Sequence, residues 1–185
     1  MTGTERWRYN EGVPRRIVVT DSEHPGESRI LVDGDLLSDQ STLRILKPNG
    51  ALVSELPVEG WTSMLTALAV GKGEGSRLIA CEASRGENLH LFSLNENEWE
   101  RRWLKRLGGQ VTGLHVREEE DLLLAGTSQG FLLCYDLDGT LLWHRLFDRG
   151  IQHGVEFEDD VLVVDQSGGL KSVNASGDVA EMGGL

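Results

Sequence analysis

Residues 122–143 read LLLAGTSQGFLLCYDLDGTLLW. Three apolar runs follow one another here, each about as long as a strand and each separated from the next by small, polar or glycine-bearing breaks. The first, from Asp121 through Ala125-Gly126, starts at a charged residue and stops at a glycine. The second, Phe131 to Leu137, ends at Asp138-Gly139, whose glycine supplies the positive φ that a two-residue hairpin requires. The third, Thr140 to Phe147, carries Trp143. The stretch reads as three antiparallel strands in sequence.

The same unit recurs on both sides. Runs starting at Arg29, Arg77 and Asp160 copy the one at Asp121, with a period of roughly 40–45 residues. Second runs follow at Thr42–Lys47, Asn88–Leu94 and Leu170–Ala175, closed by Pro48-Asn49-Gly50, Asn95-Glu96-Asn97 and Ser176-Gly177. Third runs then start at Ala51, Glu98 and, more weakly, Asp178. A further strand precedes each unit, at Arg16–Thr20, Leu65–Val70, Val111–Val116 and His153–Phe157. In the last three, small residues (Ala67, Ala69, Gly113, Gly154) alternate with large ones, as expected of a strand held between two neighbouring sheets. Four strands per repeat with turns between them describe a blade of a β-propeller. An ordinary β-sandwich also has short, evenly spaced strands, but it does not call for a unit that recurs four times.

The third repeat resembles a blade of the pyrroloquinoline-quinone-type (PQQ-like) propeller family. An alanine-bearing strand, Gly126-Thr127-Ser128-Gln129-Gly130, Leu137-Asp138-Gly139 and Trp143 carry the resemblance. It implies that Trp143, and Trp103 and Trp7 at comparable places, dock blades together. Ser54 and Ala180 stand where the other repeats would place that tryptophan, and Arg85-Gly86-Glu87 replaces the Gly-Thr turn in the second. The Gly-His and Trp-Asp marks of WD40 propellers are absent. The expected organisation is an outer strand over 1–12, then blades over 13–60, 61–109, 110–150 and 151–185. The first segment, Thr4 to Gly12, reads like the end of a blade, by comparison with Leu142 to Gly150. Its home is the last blade, a second copy, or a longer parent chain. Four blades is the low end for a closed ring.

Charge limits the partners. Lys and Arg number 18 against 30 Asp and Glu, a net charge of −12. Phosphate backbones and anionic membranes both attract basic surfaces, so neither is an expected partner. No apolar run reaches membrane-spanning length and the first residues lack a secretory pattern, so a cytoplasmic location is the default expectation. Glycine is in excess, at 23 residues, and falls largely at turns of the repeat. Cys81 and Cys134 sit 53 residues apart in apolar runs, with no CxxC spacing, and read as two small buried side chains.

No residue set calls for catalysis. PQQ-dependent dehydrogenases share the blade pattern, but their quinone- and calcium-binding residues have no counterparts identifiable here, so no cofactor and no enzyme activity are expected. Asp136-Leu137-Asp138-Gly139 offers two carboxylates where a calcium loop wants at least three, and Glu118–Asp121 and Glu156–Asp160 read as solvated acidic loops. Gly71–Gly75 precedes a strand, so it lacks the helix end that binds phosphate. Trp61 and Trp99 suit either a sugar pocket or packing at a blade edge. Arg16, Thr66, Thr112 and His153, with His115 nearby, align at one level of the inner strands, where a propeller's channel mouth binds ligands. The reading that follows is a non-catalytic propeller scaffold for a protein or peptide, with a homodimer as one way to complete the ring. The alternative is a cofactor- or small-ligand-binding, oxidoreductase-like propeller completed by further blades.

Overall fold

Short apolar strands separated by tight turns satisfy their backbone groups most directly by pairing with their sequence neighbours. The computed structural model has that pairing in every repeat. It describes residues 16–21, 28–33, 40–59, 62–70, 77–84, 87–95, 98–117, 120–157 and 160–182. The first sheet holds β1 (Arg16–Asp21), β2 (Ser28–Asp33), β3 (Gln40–Leu46) and β4 (Leu52–Glu59). The second holds β5 (Thr62–Val70), β6 (Arg77–Ser84), β7 (Asn88–Asn95) and β8 (Glu98–Arg106). The third holds β9 (Val111–Arg117), β10 (Leu122–Thr127), β11 (Phe131–Asp136) and β12 (Leu141–Leu146). The fourth holds β13 (Ile151–Phe157), β14 (Asp160–Asp165), β15 (Leu170–Val173) and β16 (Val179–Glu181). In each sheet the strands lie antiparallel in chain order, and β1, β5, β9 and β13 stand side by side in turn. Four such sheets stacked through their first strands are blades of a β-propeller. Residues 1–12, read as an outer strand, lie outside the described residues.

Because side chains alternate across a strand, each sheet has a front, toward the next sheet, and a back. The register aligns one front-face row across all four. It runs Val18–Leu31–Ile45–Ser54 in the first sheet and Thr66–Cys81–Leu91–Trp103 in the second. The third and fourth continue it as His115–Leu124–Cys134–Trp143 and Val155–Leu162–Ser172–Ala180. Ser54 and Ala180 thus occupy the tryptophan's place. The core lies between sheets: Leu31, Leu43 and Ile45 meet Leu94, Leu89 and Leu91 meet Leu123 and Ala125, and Leu124, Leu132 and Cys134 meet Val161 and Val163.

The Asn-Gly, Asp-Gly and Ser-Gly turns are one residue longer than the two-residue hairpins expected from sequence. Asp136 N–H donates to Thr140 O (3.0 Å) and Gly139 N–H to Asp136 O (3.0 Å), so three residues lie between the paired ones. The pattern repeats at Asn174–Asp178 and Lys47–Ala51. Gly139 and Gly177, at φ 85° and 81°, take the left-handed position that closes such a loop. Side chains fasten it: Asp136 Oδ1 accepts from Thr140 N–H (2.7 Å), and Asn174 Oδ1 from Asp178 N–H (2.9 Å). Asp165 Oδ1 does the same between β14 and β15, accepting from Ser167 Oγ (2.6 Å), Ser167 N–H (2.8 Å) and Gly169 N–H (2.9 Å).

Linkers between sheets are stitched on both sides. Phe147 N–H donates to Gly130 O in the third sheet, and Gly150 O accepts from Gln166 N–H in the fourth. One linker earlier, Leu107 N–H reaches Glu87 O and Gln110 O accepts from Ser128 N–H. A Cβ on Gly150 would land on the Ser128 carbonyl oxygen, whereas one on Gly113 would meet Gly154 N at an ordinary 3.5 Å.

Two predictions follow from these contacts. Gly150→Ala should cost about 2 kcal/mol or more by forcing the backbone apart, while Gly113→Ala should be neutral or stabilise by up to about 1 kcal/mol; equal midpoints in urea would refute the difference. For acid, the Ser167 hydroxyl and Gly169 N–H hold the Asp165 carboxyl below its usual range, and the Thr140 N–H does so for Asp136. A lowered folded pKa means the stabilisation is complete above the unfolded value near about 4 and is lost as pH falls through the lower folded value. Melting temperature should therefore drop below about pH 4, and Asp165→Asn should flatten that drop; an unchanged slope in the variant would count against the assignment.

Candidate functional site

Tryptophan is large and amphipathic, so it suits a seam where its ring is covered and its N–H meets a carbonyl. Trp103 leaves β8 and lies across the β11–β12 turn of the next sheet, its Nε1–H donating to Leu137 O (3.0 Å). A Cβ on Gly139 would come within 2.9 Å of its ring. Trp143 repeats the arrangement one sheet later, with Nε1–H donating to Ala175 O (2.8 Å) and Gly177 beneath the ring. A cation two residues on lies over each ring: Lys105 Nζ is 5.9 Å from the Trp103 centroid and Arg145 Cζ 5.8 Å from that of Trp143. Arg102 adds an ion pair to Asp138 in the same turn (2.9 Å). The clamp of Arg102 and the two cations escaped the sequence reading, although the spacings Trp103-x-Lys105 and Trp143-x-Arg145 were there to be noticed. Trp7 lies outside the described residues.

The inner-strand residues do not share one level. Thr66 and His115 belong to the same row, whereas Arg16 (opposite Asp33) and His153 (opposite Val164) belong to the neighbouring one. Pairing with β2, β6, β10 and β14 fixes these levels, and register shifts lie just beyond them, between Gly126 and Thr127 and between Ile151 and His153. Thr112 falls at the first of these, where its hydroxyl donates to Ile151 O in the fourth sheet (2.5 Å). It ties two sheets together. His115 lines a narrow apolar crevice between the third and fourth sheets with Gly113, Leu124, Gly126 and Ile151, while His153 and Arg16 are exposed.

Four acidic groups of the turns and loops that could attract a cation are engaged in structure. Asp136 caps its turn, Asp138 pairs with Arg102, Glu120 pairs with the buried Arg117 (2.8 Å), and Asp160 accepts from the Ser172 hydroxyl. Cys134 is a buried free thiol whose pKa burial pushes up to about 11, so it is not a nucleophile at neutral pH. Trp99 packs edge-on to Phe92 (6.2 Å) within the seam between the first two sheets; Trp61 lies outside the described residues.

The two ends of the stack differ from its interior. On the front of the fourth sheet Val155 is 52% exposed and Leu170 37%, whereas Leu132, the counterpart of Leu170 in the third sheet, is 4% exposed beneath the fourth. Met182, whose N–H donates to Leu170 O, is exposed beside it. On the back of the first sheet Ile17 and Val19 are 60% and 67% exposed, where Leu114 and Val116 of β9 are half-buried against the second sheet.

No family model matches the chain, and no curated protein does either. Solved β-propellers are similar in fold. BBS1N, crystallised in complex with ARL6DN, superposes with a TM-score of 0.68 at 17% identity, over 91% of this chain and 54% of its own. Sqt1 of Saccharomyces cerevisiae gives 0.65 at 13% identity, over 85% of this chain and 45% of its own. The computationally designed Ika4 protein gives 0.63 at 14% identity, over 98% of this chain and all of its own. The chain thus spans about half the length of BBS1N and Sqt1.

The indole and the turn glycine should be energetically coupled. Trp143→Ala is expected to cost about 2–3 kcal/mol, somewhat below a fully buried tryptophan. Gly177→Ala should cost about 2 kcal/mol in the intact protein but only the backbone share, about 1 kcal/mol, once Trp143 is alanine. Urea denaturation of all four members of the cycle measures this; an identical cost for Gly177→Ala in both backgrounds would mean that the ring does not enforce the glycine.

Proposed function

We propose that the chain is a non-catalytic β-propeller scaffold, of the PQQ-like type, that binds a protein partner through the open apolar front of its fourth sheet. The observation that carries this reading is the exposure of Val155, Leu170 and Met182 on a face whose counterpart in the third sheet is covered. A contiguous apolar surface of this kind marks a contact site, since water gains by its removal. The face is built on paired strands fastened by capped turns, so a partner meets a rigid platform and little ordering cost is incurred on binding. BBS1N, with the same fold and in complex with ARL6DN, supports a propeller of this kind serving protein assembly. The tryptophans seated on turn glycines support the PQQ-like assignment, since that is the docking role the resemblance implies.

A photo-crosslinking residue at Leu170 should trap protein adducts in extracts of the native cells, while one at His144, on the back of the third sheet's outer strand, should trap few. Equal labelling at the two positions, or none at Leu170, would defeat the reading.

A further inference from the structure

Resting on that reading, we infer that the partner is a second copy of this chain, with the front of the fourth sheet of each copy seated on the back of the first sheet of the other. The chain itself contains three interfaces of this kind, and all are front-to-back. Each joins a row such as His115–Leu124–Cys134–Trp143 to the back of the following sheet, where Val161 and Val163 cover it. Among the described residues, the stack therefore ends with one front and one back that no further sheet covers. The uncovered front carries Val155, Leu162, Val164, Leu170 and Met182. The uncovered back carries Ile17, Val19, Ile30 and Leu52, with Ile17, Val19 and Leu52 exposed while Val32 and Leu46 are buried on the same face. What the fourth sheet lacks is thus a surface the chain already possesses at its other end.

That other end does not come round to meet it. β1 packs on β5, β5 on β9 and β9 on β13, and among the described residues β13 makes no comparable contact with β1. A front-to-back contact is heterologous, and it terminates only when the rotation closes a ring. Two copies related by a two-fold axis close it with two identical seams and eight sheets, within the roughly four to eight blades that propellers use. BBS1N and Sqt1, which this chain matches over 54% and 45% of their lengths, are consistent with a ring holding about twice the structure present in one copy.

Light scattering of the 185-residue chain over a concentration series should give twice the chain mass. Leu170→Glu and Ile17→Glu should each weaken the dimer tenfold or more with unchanged far-ultraviolet circular dichroism. An equimolar mixture of the two variants should recover part of the dimer, because one of its two seams is then wild type at both faces; a face-to-face dimer gives no such recovery. A photo-crosslinker at Leu170 in mixed light and heavy-isotope chains should join different copies, at residues of β1, β2 or β4. Monomer at every concentration, crosslinks within one copy, or failure of the mixture to recover would each overturn the second-copy inference. If the chain is monomeric and Leu170 crosslinks instead to a different protein, the scaffold reading stands and only the identity of the partner falls. If it reacts with nothing, both fall.

Discussion

A sheet that is apolar on both faces needs a neighbour on each, and the architecture of this chain follows from that requirement. β10 makes the point in six residues: Leu124 faces forward into the cluster with Val161 and Val163, while Leu123 and Ala125 face back toward Leu89 and Leu91. Such a strand reads as a nearly unbroken apolar run, because neither side is solvated. Burial on both sides also explains why stacking is preferred to a solitary sheet. An exposed face of this size would forfeit the hydrophobic free energy that ordering the strands consumes.

Stacking flat faces would leave the sheets free to slide, and the tryptophan seats remove that freedom. Each indole is held by a carbonyl at its nitrogen, a glycine against the ring and a cation over it, three contacts of different chemistry at one place. The distribution of the ring follows the distribution of the glycine. Trp103 and Trp143 precede turns with Gly139 and Gly177, whereas Ser54 precedes a sheet whose corresponding turn, Asn95-Glu96-Asn97, has none. A side chain at that turn position would occupy the indole's volume, so one residue constrains the other across a sheet boundary. At the first seam Trp99, Phe92 and Leu94 fill the space from the second sheet's own strands.

Much of this was legible in the sequence because repeat period, strand length and turn punctuation are local properties. The four sheets, and the places of Ser54 and Ala180 in the tryptophan row, follow directly from aligning the repeats. What alignment missed depends on geometry that composition does not encode. Counting residues places Thr66, Thr112 and His153 at one level, but pairing separates them: Thr66 lies opposite Cys81, His153 falls two residues before Val155 of the equivalent row, and Thr112 is the extra residue of a bulge in β9. The Asp138-Gly139 dipeptide identifies a turn without giving its length, which is set by where the next backbone pair forms. Thr112 looked like a channel group because a hydroxyl on an inner strand has two destinations, solvent or the adjacent sheet, and only the neighbouring Ile151 carbonyl decides between them. The apolar ends were hidden for a related reason: Val155 and Leu170 resemble buried core residues in sequence, and their exposure appears only when the stack is seen to stop.

The charge of −12 per copy opposes any association of like chains, so apolar contact must outweigh it. Two features of the geometry favour that outcome. Charges on solvated loops are screened beyond about 8 Å at physiological salt, while Val, Leu, Ile and Met dominate the faces in question and a carboxylate on each is engaged, Glu55 with Arg44 and Asp160 with the Ser172 hydroxyl. The second seam of a two-fold ring also forms within an already tethered pair, so its cost in lost translational freedom has been met by the first. A closed pair is therefore favoured over an open chain of copies whenever the rotation between sheets permits closure, and no open edge remains to recruit further copies.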